Sequence, residues 1–264
     1  MRAAGRRPVG ELLREWRERR RLSQLDLAIQ ADISARHLSF VETGRSQPTA
    51  AMILRLTEHL DVPLRERNTL LLAGGYAPAY PQHGLDSPEL GNVRAALRQV
   101  LAGHEPYPAV VLDRWWDMQD ANSGVAVLTE GCAPDLLTPP VNVLRLSLHP
   151  GGLASRIANL TEWRAHLLMR LRTQIEQTAD AVLIDLLAEL SKFPATNMLK
   201  ARMPPPRDET AGVFVPFQLV TDAGKLSFLS TTTMFGTPID VTLSELALEC
   251  FFPADEATAQ ALQR

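Results

Sequence analysis

Arginine and small polar side chains cluster between residues 24 and 45, at spacings suited to hydrogen bonding with nucleic acid. Arg36 lies near the start of a short predicted helix, and its guanidinium could pair with O6 and N7 of a guanine. Ser39 falls on the same side and could bond a base or a phosphate. Gln24, which begins the preceding predicted helix, and Arg45, just past the second one, could reach the phosphate backbone. The pattern predicts base contacts from one helix, flanked by phosphate contacts.

Two short helices joined by a tight turn must hold these side chains. Ser23 is a natural N-cap for "LSQLDLAIQA", in which we expect Leu25 to point inward with the other apolar residues. Ser34 opens the second helix, Gly44 stops it, and Pro48 prevents its resumption.

The second helix has two distinct faces. Leu38 and Val41, three residues apart, face the core, which leaves Ala35, Arg36 and Ser39 on the opposite side. Two such helices have the geometry of a helix-turn-helix, whose second helix lies in the major groove with its first residues against base edges. The alternative is a solvated polar face on an ordinary helical bundle.

Composition limits the classes of protein that fit. The 264 residues, 45% hydrophobic and 22% charged, suit one large or two ordinary globular domains. No apolar run reaches the roughly 18 residues that span a bilayer, and no apolar stretch follows the basic first residues. We therefore expect a cytoplasmic protein with no membrane partner. Cys132 and Cys250 are expected to be free thiols, although a bridge between them stays open.

Charge differs between the two parts of the chain. Residues 1–80 contain 13 Arg against 9 acidic residues, whereas the remainder has 14 basic and 21 acidic residues. A basic first part on an acidic body predicts a polyanionic partner for the first part alone. The alternative is a plain helical domain with a modest charge.

The order of predicted elements indicates an α+β protein of two domains. Residues 1–76 are predicted to form five short helices, and residues 77–88, with three Pro and one Gly, a linker. Residues 89–264 mix helical segments with alternating stretches, including a hairpin at "TDAGK". We expect an antiparallel sheet with flanking helices there.

Residues 11–75 resemble the lambda-repressor-like (XRE-type) helix-turn-helix domain, a five-helix DNA-binding unit. The matching segments are "LSQLDLA", "ISARHLSFVETGR" and "LRLTEHLDV". The resemblance implies a backbone contact from Gln24 and a structural role for Glu42. Asp32 departs from the pattern, since a Gly is common at that point of the turn, but Asp tolerates a left-handed backbone. With double-stranded DNA as the partner, the predicted DNA-binding residues are Gln24, Ser34, Ala35, Arg36, Ser39, Phe40 and Arg45.

Catalytic and metal-binding motifs do not occur in the second part of the sequence. It contains no Gly-rich phosphate loop, CxxC, HExxH or GxSxG pattern, and no His has metal-ligand spacing to another His or a Cys. We expect no catalytic residues, no metal and no cofactor.

The stretch "RWWDMQDANSGVAVLTE", residues 114–130, resembles the opening of a PAS domain, in which five antiparallel strands and short helices enclose a small-molecule pocket. We expect a strand carrying Trp115, Trp116 and Met118, with Asn122 capping the next short helix. With "NVLRLSLHPGG" and "GTPIDVTLSELALECFFPAD", most of residues 95–255 resemble the MmyB-type ligand-binding domain of bacterial transcription regulators. The predicted ligand-binding residues are Trp116, Met118, Asn122, Val125, Leu144, Leu148, His149, Trp163, His166, Phe217, Phe228 and Phe235. Ordinary core packing is the alternative for each of them.

An apolar lining predicts an elongated apolar ligand such as a fatty acid, because each buried methylene contributes about 0.8 kcal/mol. A carboxylate head would need a donor, and the candidates are Arg145, His149, Trp163, Arg164 and His166. The sequence thus predicts a ligand-responsive transcription regulator that acts as a homodimer. The alternatives are a ligand-free dimerisation module behind the same DNA reader, and an enzyme with a DNA-binding tail.

Overall fold

The computed structural model describes residues 7–194, 214–222 and 224–263. These residues form two compact units. The first extends to residue 82 and includes residues 176–178 and 238–241, and the second contains the remainder. None of the described helices is both long and apolar enough to cross a bilayer.

The first unit is a bundle of five short helices around one apolar core, as predicted. Serine and threonine caps begin three of the helices: Ser23 accepts from the backbone N–H of Asp26, Ser34 from that of His37, and Thr49 from that of Met52. The helices are α1 (Val9–Arg19), α2 (Gln24–Gln30), α3 (Ala35–Glu42), α4 (Ala50–His59) and α5 (Leu64–Ala73).

The turns around α3 have the backbone geometry that the sequence predicts. Asp32 adopts φ +51°, so it takes the left-handed conformation for which Gly is more common. Gly44 has φ +73°, and the N–H of Arg45 bonds to the carbonyl of Phe40 at 2.8 Å, which closes the end of the helix.

The expectation for Leu25 is wrong. Its side chain is 59% exposed, while Leu27 and Ala28 are buried. In a helix of 3.6 residues per turn, a residue two positions before Leu27 points about 200° away from it. A seven-residue helix that buries Leu27 therefore exposes Leu25 on its outer side.

The chain beyond residue 83 is mixed α+β, as predicted. Its elements are α6 (Gly91–Gly103), β1 (Ala109–Leu112), β2 (Met118–Ala121), α7 (Ala126–Thr129), α8 (Val143–Leu148), α9 (Leu160–Thr178), α10 (Ala181–Ser191), β3 (Phe217–Thr221), β4 (Gly224–Met234), α11 (Val241–Ser244), β5 (Ala247–Pro253) and α12 (Glu256–Leu262). Cys132 and Cys250 are free thiols.

The five strands form one antiparallel sheet in the order β2-β1-β5-β4-β3. Thr221 pairs with Gly224, so the chain turns at the predicted hairpin. Alternate residues of a strand face opposite sides. Val110 and Phe251 belong to the large core shared with α8, α9 and α10, whereas Cys250 belongs to a smaller cluster beneath α6.

The expectation that the tryptophans lie in a strand is wrong. Trp115 and Trp116 lie in a turn before β2. The carboxylate of Asp113 accepts hydrogen bonds from the N–H groups of Trp115 (2.8 Å) and Asp117 (3.0 Å). Trp116 has φ +68°. This local bonding by an Asp side chain bends the chain, and the strand begins only at Met118.

Candidate nucleic-acid interface and ligand cavity

An aromatic ring and two arginines lie together at the exposed surface of α3 and the turn that follows it. The guanidinium carbons of Arg36 and Arg45 lie 5.4 and 5.9 Å from the centroid of the Phe40 ring. Both arginines are exposed and Phe40 is half-buried. Both distances are within the range of cation–π attraction, so the Phe40 ring and the two positive charges share one patch of the surface.

The small residues of the predicted reading face lie around this arrangement. Ala35 and Ser39 are half-buried, and Ser34 is exposed. The Ser34 hydroxyl accepts the N–H of His37 at 3.1 Å, which fixes the start of α3, and its own hydrogen can still be donated to a phosphate.

The seventh predicted DNA-binding residue, Gln24, is tied to the interior of the bundle. Its amide donates to Glu42 at 2.7 Å, and Glu42 accepts two further hydrogen bonds, from Nε and Nη2 of Arg17 at 2.7 and 2.9 Å. Arg17 also donates to the carbonyl of Leu22. Both members of the Arg17–Glu42 pair are buried. Because Arg17, Gln24 and Glu42 belong to α1, α2 and α3, the network joins the three helices and fixes the orientation of α3.

An apolar cavity of about 60 Å³, measured as the space open to the centre of a water molecule, lies on the α8–α9 side of the sheet. One water molecule occupies roughly 10–15 Å³, so the cavity is larger than a site for a single water. Its lining residues are Val110, Trp116, Met118, Val125, Leu128, Thr129, Val143, Leu144, Leu146, Ser147, Leu153, Trp163, Leu167, Phe217, Glu249 and Phe251. The cavity therefore has room for an organic ligand.

Six of the twelve predicted ligand-binding residues line this cavity: Trp116, Met118, Val125, Leu144, Trp163 and Phe217. The other six lie elsewhere. Phe228 and Leu148 are buried in the same core without lining the cavity, and Phe235 packs against the cluster beneath α6.

Asn122 has a structural position and does not make the predicted cap. Its Oδ1 accepts from the N–H of Ala109 at 2.9 Å, and its Nδ2 donates to the carbonyls of Leu101 and Tyr107. The short 3₁₀ helix that follows, Ser123–Val125, receives no hydrogen bond from this side chain. The buried amide is fully used in holding β1 against the end of α6.

The five predicted carboxylate donors have other partners in the structure. Arg145 forms a bidentate ion pair with Glu189, in which Nε donates to Oε1 at 2.6 Å and Nη2 donates to Oε2 at 2.8 Å. Arg164 donates to backbone carbonyls at the end of α10, and Nδ1 of His149 accepts from the N–H of Gly151. The two remaining candidates, on α9, are Trp163 and His166.

The indole of Trp163 donates to the hydroxyl of Ser147 at 3.0 Å inside the cavity wall. The ring of His166 lies over Trp163, with centroids 5.4 Å apart. Burial lowers the pKa of His166, and the nearby charge of Arg170 lowers that pKa further. His166 is therefore neutral at neutral pH and offers no positive charge.

Sequence reasoning missed Ser147, Glu249 and the ion pair that Glu249 makes. Glu249 lines the cavity and bonds to Arg170 at 2.9 Å. The period-two pattern of "ALECFFP" could have placed Glu249 on the inward face with Phe251. The pattern could not have shown that Arg170 of α9 lies opposite.

Two family models match the chain in separate regions. Residues 8–70 match the family described as a helix-turn-helix domain, and residues 93–264 match the family described as the MmyB-like transcription regulator ligand binding domain. The second match covers well over half of the chain.

One curated relative is an uncharacterized HTH-type transcriptional regulator, RghRB, of Bacillus subtilis (strain 168). It is 37% identical over 76 residues, which are 28% of this chain and 52% of that protein, so the match spans about half the length of the relative. A solved structure, titled "Structure of an RNA-binding Light-Oxygen-Voltage Receptor", aligns over 97% of this chain and 62% of that chain, with 14% identity and a TM-score of 0.24.

A five-helix helix-turn-helix unit followed by a five-stranded antiparallel sheet domain defines a helix-turn-helix transcription regulator. The chain belongs to the MmyB-like transcription regulators, and its C-terminal part is their ligand-binding domain. The predicted family and fold class are confirmed. Such DNA-binding regulators are not typically enzymes, and among the described residues no group of three or more His, Cys, Asp or Glu could hold a metal ion.

Proposed function

We propose that this regulator reads a DNA sequence with α3 and binds a small, elongated apolar ligand in the cavity beside α8 and α9, acting in the cytoplasm. The observation that carries the first part is the exposed Arg36–Phe40–Arg45 arrangement on the helix that the family match places in the DNA reader. The observation that carries the second part is the apolar cavity within the ligand-binding domain.

In this proposal, Arg36 of α3 contacts a base and Arg45, beyond the end of α3, contacts a phosphate. Arg36 follows the first residue of the helix, where side chains of a recognition helix reach base edges. Arg45 lies beyond the helix end, where its long side chain could reach a phosphate of the DNA backbone.

Replacing Arg36 by alanine should weaken binding to the operator by about 1–3 kcal/mol and relax the preference at one base pair. The matched variant Arg45→Ala should weaken operator and random DNA alike and lower the salt dependence of binding by about one ion. The operator is first selected from random DNA with the wild-type protein, and fluorescence anisotropy at several salt concentrations then gives the affinities. Equal losses on operator and random DNA for Arg36→Ala would refute the base contact.

A ligand that enters the cavity of the folded protein should raise its melting temperature. Binding to the folded state alone stabilises it by about 2.7 kcal/mol at a ligand concentration one hundred times Kd. A series of eight- to twelve-carbon amphiphiles tested by calorimetric melting would show this shift. The variant Val125→Trp places a large ring in the cavity, so the ligand should no longer raise the melting temperature. A series without any shift in the wild type would favour the ligand-free alternative.

The homodimer is part of the proposal on energetic grounds. One unit of five helices presents a single reading helix, and two half-sites about 34–36 Å apart usually supply specific affinity. Linking two readers makes the second contact intramolecular and raises its effective concentration.

A further inference from the structure

One ion pair, between the buried Glu249 and the half-buried Arg170, supplies a polar group to the cavity wall. Glu249, 4% exposed, projects from the inward face of β5 and accepts a hydrogen bond at Oε1 from Nη1 of Arg170 at 2.9 Å. Nη2 of Arg170 donates to Thr232 at 3.0 Å, and its guanidinium carbon lies 4.7 Å from the centroid of the Trp116 ring. Glu249 and Trp116 line the cavity, whereas Arg170 contacts both of them without lining it.

The pair leaves one acceptor for a ligand. Within the described part of the chain, Oε1 of Glu249 accepts from Arg170, and Oε2 can accept a further hydrogen bond. The hydroxyl of Ser147, also in the wall, accepts from Trp163 and retains its own hydrogen. The lining thus offers apolar surface, one free carboxylate oxygen as an acceptor and one hydroxyl as a donor.

Charged head groups fit this wall poorly. A carboxylate either lies beside the carboxylate of Glu249 or takes Arg170 from it and leaves Glu249 buried without its partner, and both arrangements are unfavourable in a low-dielectric site. No Lys, Arg or His of the described ranges lines the cavity to compensate. An ammonium group meets the opposite difficulty, since Arg170 already neutralises Glu249 and would repel a second cation.

We propose that the ligand of this cavity carries an uncharged donor, such as the hydroxyl of a medium-chain alcohol, that donates to Oε2 of Glu249 while its chain contacts the apolar lining. This inference rests on the proposed ligand-binding function and specifies the head group. It favours a neutral amphiphile over the fatty acid that the apolar lining alone suggests.

Three probes of equal chain length test the head group: octanol, octanoate and octylamine, titrated calorimetrically into the full-length protein at pH 7. We expect octanol to bind about tenfold or more tightly than either charged probe, because one neighbouring charge typically changes such equilibria by tenfold or more. Octanoate that binds as tightly as octanol would overturn the neutral head group while leaving the ligand cavity in place. No binding by any of the three would overturn the cavity as a ligand site, and this inference with it.

Two charge-removing variants should shift the preference in opposite directions. Glu249→Gln releases Arg170 and should improve octanoate binding by about tenfold, whereas Arg170→Gln releases Glu249 and should improve octylamine binding by a similar factor. Glu162→Gln, which removes an exposed carboxylate from the first turn of α9, should leave the order of the three probes unchanged. If neither folded variant binds its charged probe more tightly relative to octanol than the wild type does, Glu249 and Arg170 do not form the head-group site. The wild-type comparison decides the head group even if a variant fails to fold.

Discussion

Replacing Glu42 by alanine should unfold much of the DNA-reading unit and abolish operator binding, although Glu42 is not placed to contact DNA. The change leaves the guanidinium of Arg17, 7% exposed, buried without its two carboxylate bonds. Breaking a buried ion pair by removing one partner costs about 3–5 kcal/mol. Native domains are stable by only about 5–15 kcal/mol, so a small helical unit loses a large part of its stability.

Hydrogen exchange measured by mass spectrometry on the full-length protein tests this prediction. Peptides from α1 and α3 should lose protection in Glu42→Ala, and peptides from α8 and α9 should keep it. Arg14→Ala is the matched control, because Arg14 pairs with Glu18 on the surface, where an ion pair contributes little to stability. The double variant Arg17→Met with Glu42→Leu should recover much of the protection, since a buried pair replaced by apolar residues is often neutral or stabilising. Unchanged protection of α1 and α3 in Glu42→Ala would contradict the role given to this pair.

The helical unit was largely predictable from the sequence because its signals are local. Capping residues, the left-handed position of Asp32 and the Gly44 stop each depend on a few neighbouring residues, and the structure has all three features. Leu25 was misplaced because two apolar residues separated by one position cannot both face the core from a single turn of helix.

The cavity wall was predictable only in part because it is built from distant segments. The aromatic residues that line it were visible as apolar side chains, but a core residue and a wall residue look alike in sequence. Phe217 and Phe228 pair directly across β3 and β4, both are nearly fully buried, and only Phe217 reaches the cavity. The pairing of Glu249 with Arg170 joins residues 79 positions apart, a contact that no local pattern reports.

This difference between Phe217 and Phe228 gives the second large prediction. Truncation of either ring to alanine should cost about 3–5 kcal/mol, the usual range for a buried Phe in a core. Phe217 packs against Trp163 and Phe251, both of which line the cavity, so its loss adds directly to the space open to a ligand. Phe228 contacts the rings of Phe217 and Phe251 but does not itself line the cavity, so we expect the void left by Phe228→Ala to stay separate.

Of the two variants, only Phe217→Ala should therefore change the longest chain length that the cavity accepts. In the wild type the gain in affinity per added methylene, about fourfold for 0.8 kcal/mol, should end at the chain length that fills the cavity. In Phe217→Ala the gain should continue to longer alcohols, and saturating long-chain ligand should restore part of the lost melting temperature by mass action. Phe228→Ala should be equally destabilised and should keep the wild-type chain-length limit. Calorimetric titration of alcohols from eight to fourteen carbons into the three proteins measures both effects. A chain-length limit that is the same in all three proteins would mean that the ligand binds outside the cavity bounded by Phe217.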